Sequence, residues 1–465
     1  MAQVSDYDIA RRGGYLFGTS GIRGIFGQSL TTELCRDVAM ALGTSLPALS
    51  NVCIATDTRA SGPAVKEAVT SGLISTGACI TDLGVLPTPA LALLTKEMGF
   101  ATGIMITASH NPAEYNGIKL FNADGIGYSK GQEAEIESVC YHRCFRKSIS
   151  GGKLARLDSA RDVYFSSMMK FFAGNGLNHD LKLVVDPGNG AASGFVSELF
   201  AALHIDVIPL NDTPDGAFPG RDPEPREDTI HDTISFLKAS GGELAVCFDG
   251  DADRAVFCDR YGFLGYNEMI AYLSRIAISK NGRRRLVATV DTGRLLDMAV
   301  ADLGGEVMRS EAGDISVAHL ARQVNAAIGV EPVGVYIQPE VGFFPDPIFA
   351  TLTLLSHVKE AAQIRDFFKD MPPLYFGKSK VPCLNHFKTA VIRKLIRNAD
   401  SLGASRISTI DGLKLEFGDS WLLLRASGTE PVIRVIAESI APQQTAELLM
   451  KGAEVVDGTI KRLVE

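Results

Sequence analysis

At 465 residues the chain is too long to be organised by one hydrophobic core, and three or four domains are expected. Apolar residues at 46% and charged residues at 22% are ordinary globular values, which exclude a fibre and a disordered chain. The net charge of −8 argues against nucleic acid as a partner, because phosphate backbones select basic faces, yet leaves room for a small anion held by local arginines and backbone N–H groups.

Taken in chain order, Met1–Asp8 lacks the basic and apolar blocks of a secretory signal, and no apolar run reaches bilayer length. A cytoplasmic protein with no membrane partner is therefore expected. Strand-like runs then recur at Val52–Thr56, Gly103–Ile106, Leu183–Val185, Leu244–Phe248 and Leu286–Val290. Each leads into a turn rich in small or polar residues: TDTRASG, TASHNP, DPGNGAASG, DGDADR and DTGR. Amphipathic helical stretches separate them, an alternation that predicts α/β domains with mixed, largely parallel sheets. Ligands bind such sheets at the loops after the strand C-termini.

Breaks fall at Lys147–Lys153 (KSISGGK), ahead of a helix over Asp158–Phe172, at Asp259–Phe263 (DRYGF), and at Met371–Lys380, which carries two prolines and a glycine. They divide the chain into 1–152, 153–258, 259–372 and 373–465. The last segment differs from the others: the strand-like WLLLR and VIRVIAE runs precede one helix from about Pro442, which predicts a smaller α+β domain. No repeat is visible in the residues, though three successive α/β units can share a topology that sequence does not display. Cysteines 35, 53, 79, 140, 144, 247, 258 and 383 lie scattered among apolar residues, as reduced core positions do. Cys140, His142 and Cys144 have no second pair to complete a zinc site.

Three loops carry residues suited to chemistry. In TASHNPAEYNGIKLFNADG (107–125), Ser109 follows a strand-like run, with His110 and Lys119 as nearby proton-handling or cationic groups. By itself Ser109 reads first as a helix cap or turn serine. Asp249-Gly-Asp-Ala-Asp-Arg254 puts three carboxylates at alternate positions of a tight turn. At roughly 4 Å and an effective dielectric of about 20, each close pair costs about 4 kcal/mol, which a divalent cation relieves. An all-oxygen set suits Mg²⁺, and the flanking strand argues against a helical Ca²⁺ loop. In Arg425-Ala-Ser-Gly-Thr-Glu-Pro431, Ser427 and Glu430 have capping-box spacing, but the following VIRVIAES alternates like a strand. With Arg434, this loop then makes a cradle for a phosphate dianion.

These motifs, with LFGTSGIRG (16–24), YNGIKLFN (115–122), PDGAFPGRDPEP (214–225) and SEAGDISV (310–317), resemble signatures of the α-D-phosphohexomutase superfamily in the family's order and nearly end to end. The resemblance implies four domains around a central cleft, the first three α/β and the last smaller. It implies that Ser109 is a phosphoserine and that Asp249, Asp251 and Asp253 hold one Mg²⁺ together with a phosphoryl oxygen of that serine. Arg23, His110, Lys119 and Arg254 match cationic positions at the reaction centre. Arg425, Ser427, Gly428, Thr429 and Arg434 match the loop holding the non-reacting phosphate. It also implies an isomerase on a phosphosugar substrate: phospho-Ser109 makes a bisphosphate that turns over in the cleft and returns its other phosphate. A sugar 1,6-bisphosphate is the implied activator, and a monomer or homodimer the implied assembly.

One segment departs from the family pattern. The sugar-recognition loop usually resembles Gly-Gly-Glu-x-Ser/Asn-Gly, whereas here Gly329-Val-Glu-Pro-Val-Gly334 keeps Glu331 but offers Val333 for the polar residue. Val330 and Pro332 stiffen the loop, and one lost polar contact is worth on the order of 1 kcal/mol. The SGTEP form of the phosphate loop is more similar to phosphoglucosamine mutases and their archaeal relatives than to phosphomannomutase/phosphoglucomutases with an SNTTP-like loop. Interconversion of glucosamine 6- and 1-phosphates is thus the first expectation, with mannose, glucose or pentose phosphates as alternatives. A phosphosugar-binding regulator without turnover and a phosphatase using Asp249 as nucleophile are the competing classes. The latter leaves TASHNP and RASGTEP without roles.

Overall fold

The structure, a computed structural model, describes residues 16–464 apart from Thr19, Ser150, Asn175 and Thr429. Four sheets follow one another along the chain. The first contains β1 (Ile22–Ile25), β2 (Asn51–Thr56), β3 (Cys79–Val85), β4 (Thr102–Ile106), β5 (Tyr115–Asn122) and β6 (Leu154–Arg156), in the order β1-β5-β4-β2-β3-β6. The second contains β7 (Leu183–Asp186), β8 (Val207–Pro209), β9 (Leu244–Phe248), β10 (Ala255–Asp259) and β11 (Gly262–Leu264), ordered β11-β10-β9-β7-β8. The third orders β12 (Arg285–Thr289), β13 (Glu306–Ser310), β14 (Gly329–Glu331) and β15 (Val335–Ile337) as β13-β12-β14-β15.

The three share one four-strand core. In each, a strand (β2, β7 or β12) is flanked by the next two parallel strands of its unit, and the second of these is followed by an antiparallel hairpin partner (β5, β10 or β15). The parallel strands at the heart of the sheets are apolar, and β4 and β9 are buried at every position. The crossover helix Gly62–Thr76 shows how the sequence marks its ends, with Pro63 in its first turn and Gly77 in the left-handed region at φ 90°. The shared topology has a functional consequence. The turn between the third parallel strand and its hairpin partner is Thr107–Glu114 in the first unit, Asp249–Arg254 in the second and Pro332–Gly334 in the third. The serine loop, the acidic loop and the Pro332–Gly334 turn thus occupy equivalent positions of three equivalent sheets.

The sheets overrun two expected boundaries. Leu154–Arg156 pairs with β3, so the first unit ends beyond residue 152, and Gly262–Leu264 folds back on β10, so the second ends beyond 258. All three residues of β6 are exposed, which removes the hydrophobic pattern that would have announced it. A single apolar cluster runs through units one to three, from Cys53 and Met105 through Phe248 to Ala288 and Phe349. The fourth sheet is separate and wholly antiparallel: β16 (Tyr375–Pro382), β17 (Arg406–Ser408), β18 (Leu413–Phe417), β19 (Ser420–Ala426) and β20 (Val432–Ser439) in the order β16-β20-β19-β18-β17. Helices Asn385–Arg397 and Pro442–Val464 cover one face through their own core. The other face meets the third unit, where Trp421, Leu423 and Ile436 pack with Val290. No described helix is long and apolar enough to cross a membrane.

Candidate active site

Ser109 sits just past the end of β4 with a left-handed backbone, φ 51°, a conformation that costs a non-glycine residue about 1–2 kcal/mol. Two contacts hold it there. Its N–H donates to Thr107 Oγ1 at 2.8 Å, and its carbonyl accepts from Arg59 Nη2 at 2.8 Å. Arg59 is 1% exposed and also donates to the carbonyls of Asn111, Pro112 and Tyr115, while its Nε pairs with Asp57 Oδ2 at 2.9 Å. One buried guanidinium therefore gathers the whole serine loop. Asp57 in turn accepts from Thr107 Oγ1 at 2.7 Å, so the Arg59–Asp57 pair reaches the loop from both ends. Sequence reasoning singled out TDTRASG as a loop but missed this arginine; a charged residue amid a tight Asp-Thr-Arg-Ala-Ser-Gly turn was the only signal.

Across the cleft, the acidic loop closes on the serine. Ser109 Oγ donates to Asp249 Oδ2 at 2.6 Å, and His110 Nδ1 lies 3.3 Å from the same hydroxyl. The approach is so close that a Cβ on Gly250 would stand 2.4 Å from the Ser109 carbonyl oxygen, which explains the glycine. Ala252, at φ 56°, turns the loop so that Asp249, Asp251 and Asp253 converge, with one ligand atom from each within 4.8 Å of the others. Lys119 Nζ bridges Asp251 Oδ2 at 2.7 Å and Asp253 Oδ2 at 2.6 Å, and Thr88 Oγ1 donates to Asp251 Oδ2 at 2.6 Å. Two oxygens, Asp251 Oδ1 and Asp253 Oδ1, are buried without any hydrogen-bond partner. Orphaned buried carboxylate oxygens beside a third carboxylate are what a hard divalent cation satisfies, so the donor set fits a metal ion.

The electrostatics follow from burial. Desolvation, reinforced by Asp253 and Asp251, pushes the Asp249 carboxyl well above the usual range. Burial pushes Asp251 the same way, but Lys119 and Thr88 outweigh it and hold Asp251 ionised, below the ordinary value. Burial, then Arg254, Arg23 and Lys119, drive the His110 pKa down, so its imidazole is neutral. For Lys119, desolvation is overcome by Asp251 and Asp253, and the ammonium rises to about 12. Arg23 donates to Asn111 Oδ1 at 3.0 Å, placing it over the serine loop, and Arg254 Nε is buried without a hydrogen bond, 3.9 Å from Asp253 Oδ1.

Arg254 leads towards the third unit, because the next residue, Ala255, donates its N–H to the Gly334 carbonyl at 3.0 Å. Glu331 accepts from Gly313 N–H at 3.2 Å; burial, then Asp291, raises its carboxyl to about 7, opposed by Arg254 and Arg425. Val333 does not offer its side chain as a free group: it packs on the apolar cluster of Ile126, Val317 and Ile337, leaving Glu331 as the polar contributor of that loop. In the fourth domain, Ser427 N–H donates to the Val432 carbonyl at 3.0 Å and Ser427 Oγ accepts from Glu430 N–H at 3.2 Å. Those are the bonds of a capping turn, but β20 rather than a helix follows. Arg425 and Arg434 are cross-strand partners at its base, Gly428 lies in the turn, and Thr429 is outside the described residues. Lys388, also missed, reaches the Glu430 carbonyl at 3.1 Å and that of Ser427. Cys140 is buried against the Asp37 carbonyl, whereas Cys144 is exposed.

A serine on a buried carboxylate triad, ringed by cations, suits an enzyme of phosphoryl transfer on a small phosphorylated ligand. Comparison with known proteins makes this particular. Family models match all four segments: phosphoglucomutase/phosphomannomutase α/β/α domain I over 14–145, domain II over 162–262, domain III over 266–375 and the C-terminal domain over 379–455. The chain belongs to the phosphoglucomutase/phosphomannomutase family of the α-D-phosphohexomutase superfamily and is an isomerase of that class. It is 37% identical to a protein of Thermococcus kodakarensis named "Probable phosphoglucosamine mutase", over 96% of this chain and 99% of the relative. It is 35% identical to another from the same organism named "Phosphoglucomutase/phosphomannomutase", over 96% and 100%. The crystal structure of a phosphoglucomutase/phosphomannomutase family protein from Burkholderia thailandensis superposes with a TM-score of 0.84 at 27% identity, covering 96% of this chain and 97% of that one.

Proposed function

We propose that the chain interconverts glucosamine 6-phosphate and glucosamine 1-phosphate through a phosphorylated Ser109 and a sugar bisphosphate. The observation that carries this reading is the 2.6 Å bond between Ser109 Oγ and Asp249 at the meeting of two equivalent sheet turns. The phosphoryl group leaves Ser109 Oγ for a sugar hydroxyl, giving the bisphosphate; the hydroxyl proton is taken up in the site and restores the serine O–H. After the sugar turns over, its other phosphate returns to Ser109 and the isomeric monophosphate departs.

Each neighbouring residue has work in that cycle. Asp249, Asp251 and Asp253 would hold a Mg²⁺ ion, which when bound neutralises charge on the phosphoryl oxygens. Lys119, by bridging Asp251 and Asp253, holds both carboxylates in place and keeps Asp251 ionised. His110, neutral beside Ser109 Oγ, is placed to pass a proton between that oxygen and the sugar hydroxyl. Arg23 and Arg254 supply positive charge around the transferring group. Arg425, Arg434 and the 427–431 turn hold the other phosphate, and Glu331 accepts from sugar hydroxyls. A clamp that reads phosphate alone serves both ends of the bisphosphate, which the turnover requires.

The sugar rests on the names of the curated relatives and on the SGTEP loop. A second reading, mannose or glucose phosphates, is favoured by Val333, an apolar, half-buried residue that gives the sugar loop one polar discriminator fewer. The test is a turnover panel of glucosamine, mannose, glucose and pentose 1-phosphates, with Mg²⁺ and glucose 1,6-bisphosphate as activator. Glucosamine 1-phosphate should give the highest kcat/KM. Preference for another sugar would replace the assignment, and tight binding without any turnover would mark a regulator.

A further inference from the structure

The sheet of the fourth domain has one face on its own helices and one face turned to the rest of the molecule. Pairing across β16, β20 and β19 sets the second face in three rows: Phe376–Glu438–Trp421, then Lys378–Ile436–Leu423, then Lys380–Arg434–Arg425. The first row and the apolar part of the second dock on the third unit through Val290; Trp421 Nε1 donates to Glu438 Oε1 at 2.9 Å, and the same oxygen takes the Arg294 N–H at 2.8 Å. The third row carries the phosphate loop. Lys378 stands on the edge strand between the two.

The cations of this face differ in how they are compensated. Lys380 Nζ lies 2.6 Å from Glu430 Oε1, Arg434 Nη2 lies 3.2 Å from Glu430 Oε2, and Arg425 Nε lies 2.5 Å from Asp411 Oδ2. Lys378 alone among them makes no ion pair or hydrogen bond with a described residue; its ammonium rests 5.2 Å from the Phe376 ring centroid, and the side chain is exposed. Desolvation lowers its pKa, Asp291 and Glu331 oppose this, and Arg434 and Arg425 add to it, so Lys378 shares the field of both clamp arginines and of the sugar-loop glutamate. A dianion arriving between Arg425 and Arg434 meets two guanidiniums already shared with carboxylates and one ammonium that is not. Charge complementarity makes the unshared ammonium the larger electrostatic gain.

We propose that Lys378 is a direct ligand of the phosphate held by the fourth domain, supplying the charge that the carboxylate-paired Arg425 and Arg434 do not. This rests on the 425–434 segment being the clamp for the non-transferred phosphate.

The experiment is titration calorimetry with glucose 1,6-bisphosphate and with inorganic phosphate on the full chain, in a Ser109→Ala background so that binding is read without turnover. Lys378→Met keeps the stem on Phe376 and removes the charge; Lys378→Arg restores it. Lys378→Met should weaken both ligands about 10- to 100-fold and flatten the salt dependence of binding, with Lys378→Arg within about threefold of the parent. In the Ser109-containing enzyme, KM should rise by a similar factor with kcat changed less, and the ligand-free thermal midpoint should stay put. Binding of both probes within twofold of the parent, or a loss matched by a fall in the ligand-free midpoint, would overturn the proposal. The two readings fail separately. Wild-type turnover with binding indifferent to Lys378 sinks this inference alone, whereas Lys378-dependent phosphate binding in a wild type inactive on every sugar phosphate sinks the mutase assignment and leaves the clamp residue standing.

Discussion

Arg59→Met tests whether one buried guanidinium organises the serine loop. The substitution keeps much of the side-chain volume but removes the partner of Asp57 and the donors to the carbonyls of Ser109, Asn111, Pro112 and Tyr115. Removing one member of a buried ion pair costs about 3–5 kcal/mol. Each carbonyl left without a donor adds about 1–3 kcal/mol, so even if water satisfies two of the four the total is at least about 5 kcal/mol. The loss falls on a loop at the cleft, which opens locally before the parallel sheet beneath it unfolds. Amide exchange at Ser109, Asn111 and Tyr115, whose N–H groups bond within this loop, should accelerate by about three orders of magnitude or more, while β2 and β4 keep their protection. Turnover should fall at least about 100-fold, because Ser109 Oγ loses its place against Asp249. Adding Asp57→Asn should recover part of the stability, by removing the stranded charge, but not the order of the loop. Unchanged exchange at 107–117 together with unchanged kcat would refute the reasoning.

Other outcomes follow from single contacts. Gly250→Ala puts a Cβ 2.4 Å from the Ser109 carbonyl oxygen, so one loop must move; the parallel strands should hold the midpoint close to wild type while kcat falls about 100-fold, and full activity would contradict the fit. Asp346 is fully buried, accepts from Tyr164 and from Phe349 N–H, and burial raises its carboxyl from 3.8 to about 7. Between those values the folded protein keeps a proton that the unfolded chain has lost, so stability falls as pH rises through the window. Asp346→Asn cannot ionise, and its stability advantage over wild type should grow from pH 5.5 to pH 8 towards at most about 4 kcal/mol; parallel midpoint–pH curves would exclude the effect.

Much of the site was legible in residues because each loop declares itself locally. Runs such as Leu244–Phe248 are too apolar to face water, and the turn residues after them mark where side chains leave the sheet. What escaped depends on distance across the fold. Arg59 acts on carbonyls about 50 residues away, and the face on which Lys378 lies is decided by strand register. The slipped boundaries have the same origin: β6 is exposed at all three positions and β11 is three residues long, so neither carries a period to read. Val333 marks the opposite case, a residue whose position in the motif was visible while its orientation, onto the apolar cluster that holds Ile126 and Val317, was a matter of packing.

The central claim is that Ser109 carries the phosphoryl group between the two positions of the sugar. The most direct measurement is to expose the full chain with Mg²⁺ to glucose 1,6-bisphosphate labelled in phosphorus, map the labelled peptide, and chase it with unlabelled glucosamine 1-phosphate. The account predicts label on the peptide containing Ser109, absent from Ser109→Ala and discharged into sugar bisphosphate by the chase. Label on Asp249, or label on Ser109 that the sugar phosphate does not remove, would contradict it.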